Sequence, residues 1–342
     1  MTLRWTRQLT PDDVGILRSL VTLATDTDGV APLSDDAVLR LTSDPLTTGQ
    51  HLIVTGSARP AQPCGIAGYA YLAVHSGDRW QAEVVVHPGQ RRRGIAGKLL
   101  GALTASADRA GADLAIWAHG DSPAAAALAG RYGFARDRVL WQMRRPLPPA
   151  SQDVDADETP TPLPEVTVPP DVTVRTFVPG QDEDAWVSVN RRAFADHPEQ
   201  GQWTIDDLLL RETEPWFDPA GFFLAESAGR LAGFHWTKVH RAADTDAGGT
   251  DAADTDAGDV ETRQADVGEV YVVGVDPTFS GRRLGRALTL IGLHHLRDRG
   301  LATVLLYVDD SNQRAVGLYE NLGFTRYSCD ISYLRAGTDT GT

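Results

Sequence analysis

Cysteine is almost absent from the 342 residues: Cys64 and Cys329 are the only two, one in each half. Two thiols exclude a disulfide framework and a cysteine-based zinc site, so a reducing cytoplasm is the expected compartment. Long apolar runs are missing as well. No stretch of about 18 apolar residues occurs, and the opening MTLRWTRQLTPDD lacks an apolar core of signal-peptide length. A membrane partner is therefore not expected. Basic residues are outnumbered, 32 to 46, for a net charge of −14. Two stretches carry nearly all of that excess: residues 146–171 hold six acids and no bases, and residues 243–266 hold eight acids and one arginine. The remainder is close to neutral, with no basic face for nucleic acid. Both acidic stretches are poor in large apolar residues and read as solvated.

What is present is a repeat. The length suits two domains, each able to bury a core. The segment RRPLPPASQDVDADETPTPLPEVTVPPDV divides them, its prolines denying it helix and sheet hydrogen bonds. Residues 1–147 form the first expected domain, 148–170 the linker and 171–342 the second, with a low-complexity acidic loop at about 243–266. The halves match in order. VHPGQRRRGIAGKL from Val86 is echoed by VDPTFSGRRLGRAL from Val275, and YGF by LGF, so that Gly133 corresponds to Gly323. A repeat this long is a duplicated domain. In each half an apolar strand enters the glycine/arginine loop, a helix follows (Leu284, Leu288, Ile291 and His295 or Leu296 at helical spacing), and another strand comes next. The expected fold class is α/β, in two tandem domains, each a mixed central sheet flanked by helices.

A strand, a loop and a helix N-terminus aim several backbone N–H groups at one point, where the helix dipole favours an anion. Glycines let a pyrophosphate approach and arginines add charge-assisted contacts. The first loop reads Arg91, Arg92, Arg93, Gly94, Ile95, Ala96; the second reads Ser280, Gly281, Arg282, Arg283, Leu284, Gly285. The first fits Q/R-x-x-G-x-G/A, the pattern of the GCN5-related N-acetyltransferases (GNATs), which it resembles. The second departs at Ser280 and at Arg283. Further on, SNQRAVGLYENLGF offers Ser311 or Asn312 as a helix cap, with Tyr319 about two turns along. In that superfamily a tyrosine so placed faces the thioester sulfur and protonates the departing thiolate. On the strand entering the second loop, Glu269 could accept a proton from an attacking amine. Counting along the first half puts Ala129 at the Tyr319 position and Trp80 at the Glu269 position. The first domain is thus expected to bind CoA without chemistry.

The whole chain is similar to a tandem actinobacterial family of this fold, the mycothiol synthases, through DGVAPLSDD, VVVHP, WAHGD, AFADHPEQGQWT, WFDP, GFHWTKVH, GEVYVVGVDP and LLYVDDSN. The resemblance implies acetyl transfer from acetyl-CoA to the cysteinyl amine of cysteinyl-glucosaminyl-inositol. It assigns Asp36, Glu199, Lys238, Glu269 and Tyr307 to that acceptor. Val273, Gly274, Val275, Ser280, Gly281, Arg282, Arg283, Leu284, Gly285, Arg286, Asn312, Gln313, Arg314, Ala315, Val316 and Gly317 would hold the catalytic acetyl-CoA. Val84, Val85, Val86, Arg92, Arg93, Gly94, Ile95, Ala96 and Gly97 would hold a second, structural CoA. Two alternatives stay open: a tandem acetyltransferase of another amine, and a CoA-binding regulator without turnover. No metal is expected, since the aspartate-rich loop lacks EF-hand spacing, and strand packing and helix surface account for His235, His240, His294 and His295. The expected state is a monomer.

Overall fold

The computed structural model of the chain describes residues 1–42, 49–56, 65–74, 79–149, 161–195, 197, 200–241 and 265–337. They form two compact units that do not coincide with the linear halves. Unit 1 comprises Met1–Trp141, Asp309–Ser311 and Ser328–Thr342; unit 2 comprises Gln142–Val308 and Asn312–Tyr327.

Unit 1 runs β1 (Thr2–Thr6), α1 (Pro11–Asp28), α2 (Asp35–Leu39), β2 (Gln50–Thr55), β3 (Ile66–Val74), β4 (Arg79–Val86), α3 (Ile95–Ala110), β5 (Asp113–Ala118) and α4 (Pro123–Arg131), then enters β6 (Ala135–Pro146). Strands β1 to β4 pair antiparallel in sequence order, and β4 pairs parallel with β5 across α3. Alternation along β2 feeds two cores. Leu52 and Val54 pack with Ile95, Leu99 and Leu103 of α3, while Ile53 packs with Leu17, Leu20 and Ala24 of α1. The four-residue spacing along α3 puts its large apolar side chains on one stripe.

Unit 2 runs β7 (Val172–Thr176), α5 (Glu183–Ala193), α6 (Ile205–Glu212), β8 (Phe222–Ser227), β9 (Arg230–His240), β10 (Val267–Val275), α7 (Leu284–Asp298), β11 (Thr303–Asp309) and α8 (Gln313–Glu320), then enters β12 (Thr325–Arg335). Strands β7 to β10 pair antiparallel in order, and β10 pairs parallel with β11 across α7. Trp186 of α5, fully buried, meets Phe222, Phe234 and Trp236 edge-on at 5.2–5.9 Å. Leu284 and Leu288 of α7 pack on Ala225 and Ala232.

Both units are thus mixed α/β sheets flanked by helices. Each is completed by a strand from the other half of the sequence. In unit 1, β12 closes on β5, from Ile331 opposite Ala118 to Arg335 opposite Leu114. In unit 2, β6 lies beside β11, and the Leu147 N–H donates to the Ala302 carbonyl at 2.8 Å. Residues 161–169 hold no helix or strand, as the prolines require. Arg145, 2 % exposed, donates to the carbonyls of Leu322 and Thr161, and Pro164 is bonded by His294 Nε2. The acidic loop, apart from Ala265 and Asp266, lies outside the described residues, as do linker residues 150–160.

Candidate active site

The two glycine/arginine loops have the same backbone. Arg92 (φ 63°) and Gly94 (φ 78°) are left-handed in the first, Gly281 (φ 79°) and Arg283 (φ 61°) in the second. The glycine has moved from one left-handed position to the other, so Arg283 departs from the motif in side chain and keeps its conformation. Helices α1, α2, α4, α6 and α8 have side-chain N-caps, but Gly94 and Arg283 offer none to α3 and α7. The first-turn N–H groups of those two helices therefore point at the loop with no capping side chain, the arrangement an anion satisfies.

Each loop is clamped to the first helix of its unit, with opposite polarity. Arg91 forms two 2.6 Å bonds to Asp28 at the end of α1 and also donates to the Val86 carbonyl. In unit 2 the buried Asp276 accepts from Arg192 of α5 at 2.7 Å and from the Thr278 N–H and hydroxyl at 2.9 and 2.7 Å. Burial opposes its ionisation, yet those bonds hold its carboxyl below the usual range. Arg91, which the motif aligns with phosphate binding, is occupied as a clamp. Arg92 and Arg93 are exposed on the loop, Arg93 bonding Gln90 at 2.8 Å, and Arg282 pairs with Asp171. Val84–Val86 close β4 against Ala70, Tyr69 and Gly68, and Val273–Val275 close β10 against His235, Phe234 and Gly233.

In unit 2 a buried lysine and a buried glutamate face each other across two strands. Glu269 (5 % exposed) sits opposite Lys238 (6 %) across β9 and β10, and beside Leu305 of β11. Neither is the solvated strand-edge charge that composition alone would allow. Lys238 Nζ stands 4.7 Å from the Trp216 ring centre and 5.6 Å from that of Tyr271. An ammonium over an aromatic face is attracted by the ring quadrupole. Arg211 continues the layer, 3.8 Å over Trp203 and bonded to the Tyr271 hydroxyl at 3.0 Å. Glu269 Oε2 is 2.7 Å from His240 Nε2. Tyr271 is a β-bulge: the β9–β10 register breaks between Val270 and Val272, and pairing with β11 ends at Val270 opposite Leu306. The two parallel strands diverge there, one residue beyond Glu269.

That bulge corrects a correspondence. Residue counting matches Glu269 with Trp80, but sheet register matches it with Gln81. Lys238, five residues past Gly233, pairs with Glu269; Ala73, five past Gly68, pairs with Gln81. The extra bulge residue in β10 accounts for the shift. Unit 1 still lacks a carboxylate there.

Asn312, and not Ser311, caps α8 by accepting from the Ala315 N–H at 3.1 Å. Residues 313–317 form its first turns. Tyr319 is 7 % exposed and lies edge-on to Phe324 at 5.8 Å. Burial pushes its hydroxyl well above the usual tyrosine range. Ala129 occupies the matching place: the Phe134 N–H bonds its carbonyl at 3.0 Å, as the Phe324 N–H bonds that of Tyr319. Tyr307 on β11 is 43 % exposed, and its hydroxyl accepts from Gln142 at 2.7 Å. Asp36 is in α2 of unit 1, 3.5 Å from Arg40. Glu199 lies outside the described residues. The neighbouring Gly201 does not: a Cβ there would meet the Phe194 carbonyl at 2.1 Å, so the GQW turn needs glycine. A cavity of about 170 Å³ is lined by Trp216, Thr237, Arg241 and Arg299 and by none of the residues expected at the site.

Two partners, Arg211 and Asp276, escaped the sequence reading, and His240, accounted for there by strand packing, is instead a partner of Glu269. Only His240 had a legible signal, since it follows Lys238 by two residues and a strand puts both on one face. The fully buried His235 bonds the Leu288 carbonyl at 2.7 Å, and desolvation lowers its pKa to about 4. Among the described residues no group of three His, Cys, Asp or Glu could hold a metal, and no helix is long and apolar enough to cross a membrane.

Residues 186–324 match the acetyltransferase (GNAT) family and residues 52–136 match an acetyltransferase (GNAT) domain. Solved structures agree on the fold. A tandem GNAT protein from the clavulanic acid biosynthesis pathway aligns over 99 % of this chain and all of its own, at a TM-score of 0.64 and 19 % identity. A GCN5-related N-acetyltransferase from Sphaerobacter thermophilus covers 99 % and 98 %, at 0.62 and 22 %. Fold and loops together define a tandem acetyl-CoA-dependent N-acetyltransferase. The mycothiol acetyltransferase of Thermomonospora curvata is 52 % identical over 95 % of this chain and 94 % of its own, and that of Thermobispora bispora 48 % over 98 % and 100 %. The chain belongs to the mycothiol acetyltransferase family.

Proposed function

We propose that this chain transfers acetyl from acetyl-CoA to the cysteinyl amine of cysteinyl-glucosaminyl-inositol, with the chemistry confined to unit 2. The observation that carries this reading is the buried Glu269–Lys238 pair at the divergence of β10 and β11, on the strand whose far end leads into an uncapped helix N-terminus. Ser280–Arg286 and Asn312–Gly317 would hold the CoA phosphates and pantetheine arm, and Val273–Val275 would supply backbone contacts, the N–H near Val273 polarising the acetyl carbonyl. Lys238, Glu269 and Tyr307 would contact the acceptor, with Asp36 and Glu199 assigned by family resemblance.

The α-amine, with a pKa of about 8, is partly neutral at cellular pH. Its nitrogen attacks the thioester carbon, and Glu269 takes the amine proton as the tetrahedral adduct forms. When the C–S bond breaks, the electron pair goes to sulfur and Tyr319 donates to it. The raised Tyr319 pKa makes full transfer to a thiolate of pKa about 8.5 uphill. Tyr319 therefore acts by hydrogen-bonding the developing thiolate, its proton moving only as the bond breaks. Unit 1, with Gln81 and Ala129, would hold a second CoA through Val84–Val86 and Arg92–Gly97 as a structural ligand. The direct test is incubation of the purified protein with acetyl-CoA and the cysteinyl-sugar amine. Acetylated product is expected; acetyl-CoA binding without acetylation of any small amine would establish a regulator instead.

A further inference from the structure

Glu269 is 5 % exposed, so a proton it takes from the acceptor has no direct way to water. Its bond to His240 offers one. Nε2 of that imidazole is 2.7 Å from Oε2 of the carboxylate, and the side-chain exposures are 37 % for His240 against 6 % for Glu269. The contact follows from the hairpin. His240 pairs with Val267 and Lys238 with Glu269, making His240 and Glu269 diagonal neighbours on one face. On that face Lys238 is packed over Trp216 and Tyr271, and as an ammonium it has donors only.

We propose that His240 is a positioning and proton-relay residue through which Glu269 returns the acceptor's proton to solvent between turnovers; this rests on the reading of Glu269 as the base. Before attack, the Nε2–H of His240 donates to the carboxylate and aims it. Once Glu269 carries the amine proton, water takes the ring proton from Nε2 and supplies one at Nδ1, and the imidazole in that Nδ1–H form accepts the carboxyl proton at Nε2. The resulting imidazolium, bonded to the restored carboxylate, releases a proton to water. Protons balance over the cycle, because the one lost to solvent here offsets the one that the departing thiolate gains.

The test compares His240→Ala, His240→Gln and Glu269→Gln in the full chain, under conditions where chemistry limits turnover. Loss of the relay should lower kcat at least about 10-fold, towards the range of general acid–base catalysis, and leave KM for acetyl-CoA within about 2-fold. Added imidazole should restore kcat in His240→Ala and have no effect in Glu269→Gln. Glutamine can bond Glu269 but cannot pass a proton, so His240→Gln should be as slow as His240→Ala. Full turnover in His240→Gln, or failure of imidazole to rescue a folded His240→Ala, would overturn the relay. Full turnover in Glu269→Gln would overturn the base assignment itself, whereas an impaired Glu269→Gln beside a normal His240→Ala would overturn the relay alone.

Discussion

In the proposed mechanism Glu269 and Tyr319 handle the two protons, and each polar group can be replaced with little change in volume. Glu269→Gln is expected to lower kcat by about 10²–10⁴, the usual contribution of a positioned acid or base. Tyr319→Phe deletes one donor to developing charge, and a loss of about 10²–10³ in kcat is expected with acetyl-CoA affinity retained. Because burial raises the Tyr319 pKa above its ordinary 10, its ionisation should produce no alkaline fall in rate up to about pH 10. A tyrosine-dependent loss at about pH 9 in the kcat profile would contradict that. The second loop makes a backbone prediction of opposite signs. A Cβ added at Gly281 would meet nothing within 4 Å, but φ is 79°, so Gly281→Ala should cost about 1–2 kcal/mol through conformation alone. Arg283→Gly relieves a comparable strain and loses roughly 0.5–1 kcal/mol to unfolded-state entropy, leaving a small gain. Urea denaturation of both variants decides it.

At the scale of elements, unit 1 contains an ionic knot built around the histidine of WAHGD. His119, after β5, bonds Glu83 of β4 at 3.1 Å and Asp330 of β12 at 3.0 Å. Glu83 also accepts from the N–H and hydroxyl of Ser34, the cap of α2, which carries Asp36. Burial opposes the charge on His119, but the bonds to Asp330 and Glu83 prevail and raise its pKa to about 10. An unfolded histidine titrates near 6.5, so this stabilisation is complete below about pH 6.5 and fades as pH rises through about 10. His119→Gln should therefore destabilise strongly at about pH 6 and much less at about pH 10.5. A penalty that does not vary with pH would mean that packing, not charge, holds these three elements together.

For the whole molecule, the exchange of final strands makes the linear halves poor fragments. Residues 1–147 end without the Ile331–Arg335 segment that covers the edge of β5, and an uncovered edge templates association. The fragment alone should aggregate or melt below the full chain, and size-exclusion chromatography with and without added residues 148–342 would reveal it. Ligand count is the other molecular property. If unit 1 binds CoA as a structural ligand, Arg92→Glu with Arg93→Glu should remove one binding event from a calorimetric titration. It should also remove stabilisation of about 2.7 kcal/mol at a hundredfold excess over Kd. Unit 2 should still turn over; an unchanged number of binding events would mean that unit 1 holds no CoA.

The duplication, the α/β class and both loops were legible in the sequence because they depend on local rules: apolar periodicity, proline placement, and residues that tolerate left-handed backbone. Lys238, Glu269 and Tyr319 stood out through motif and family resemblance. Their burial and their neighbours did not. The bulge at Tyr271 changes register without changing composition, so counting matched Glu269 with Trp80 where the sheet matches it with Gln81. The exchange of β6 and β12 was equally hidden, since either strand's alternating pattern would satisfy either sheet edge. Arg91 looked like a phosphate ligand because the motif names a residue type, while its partner Asp28 lies 63 positions away. Local propensity and spacing are written along the chain. Which charges are desolvated together, and so which carboxylate can act as a base, depends on distances that exist only once the sheet has closed.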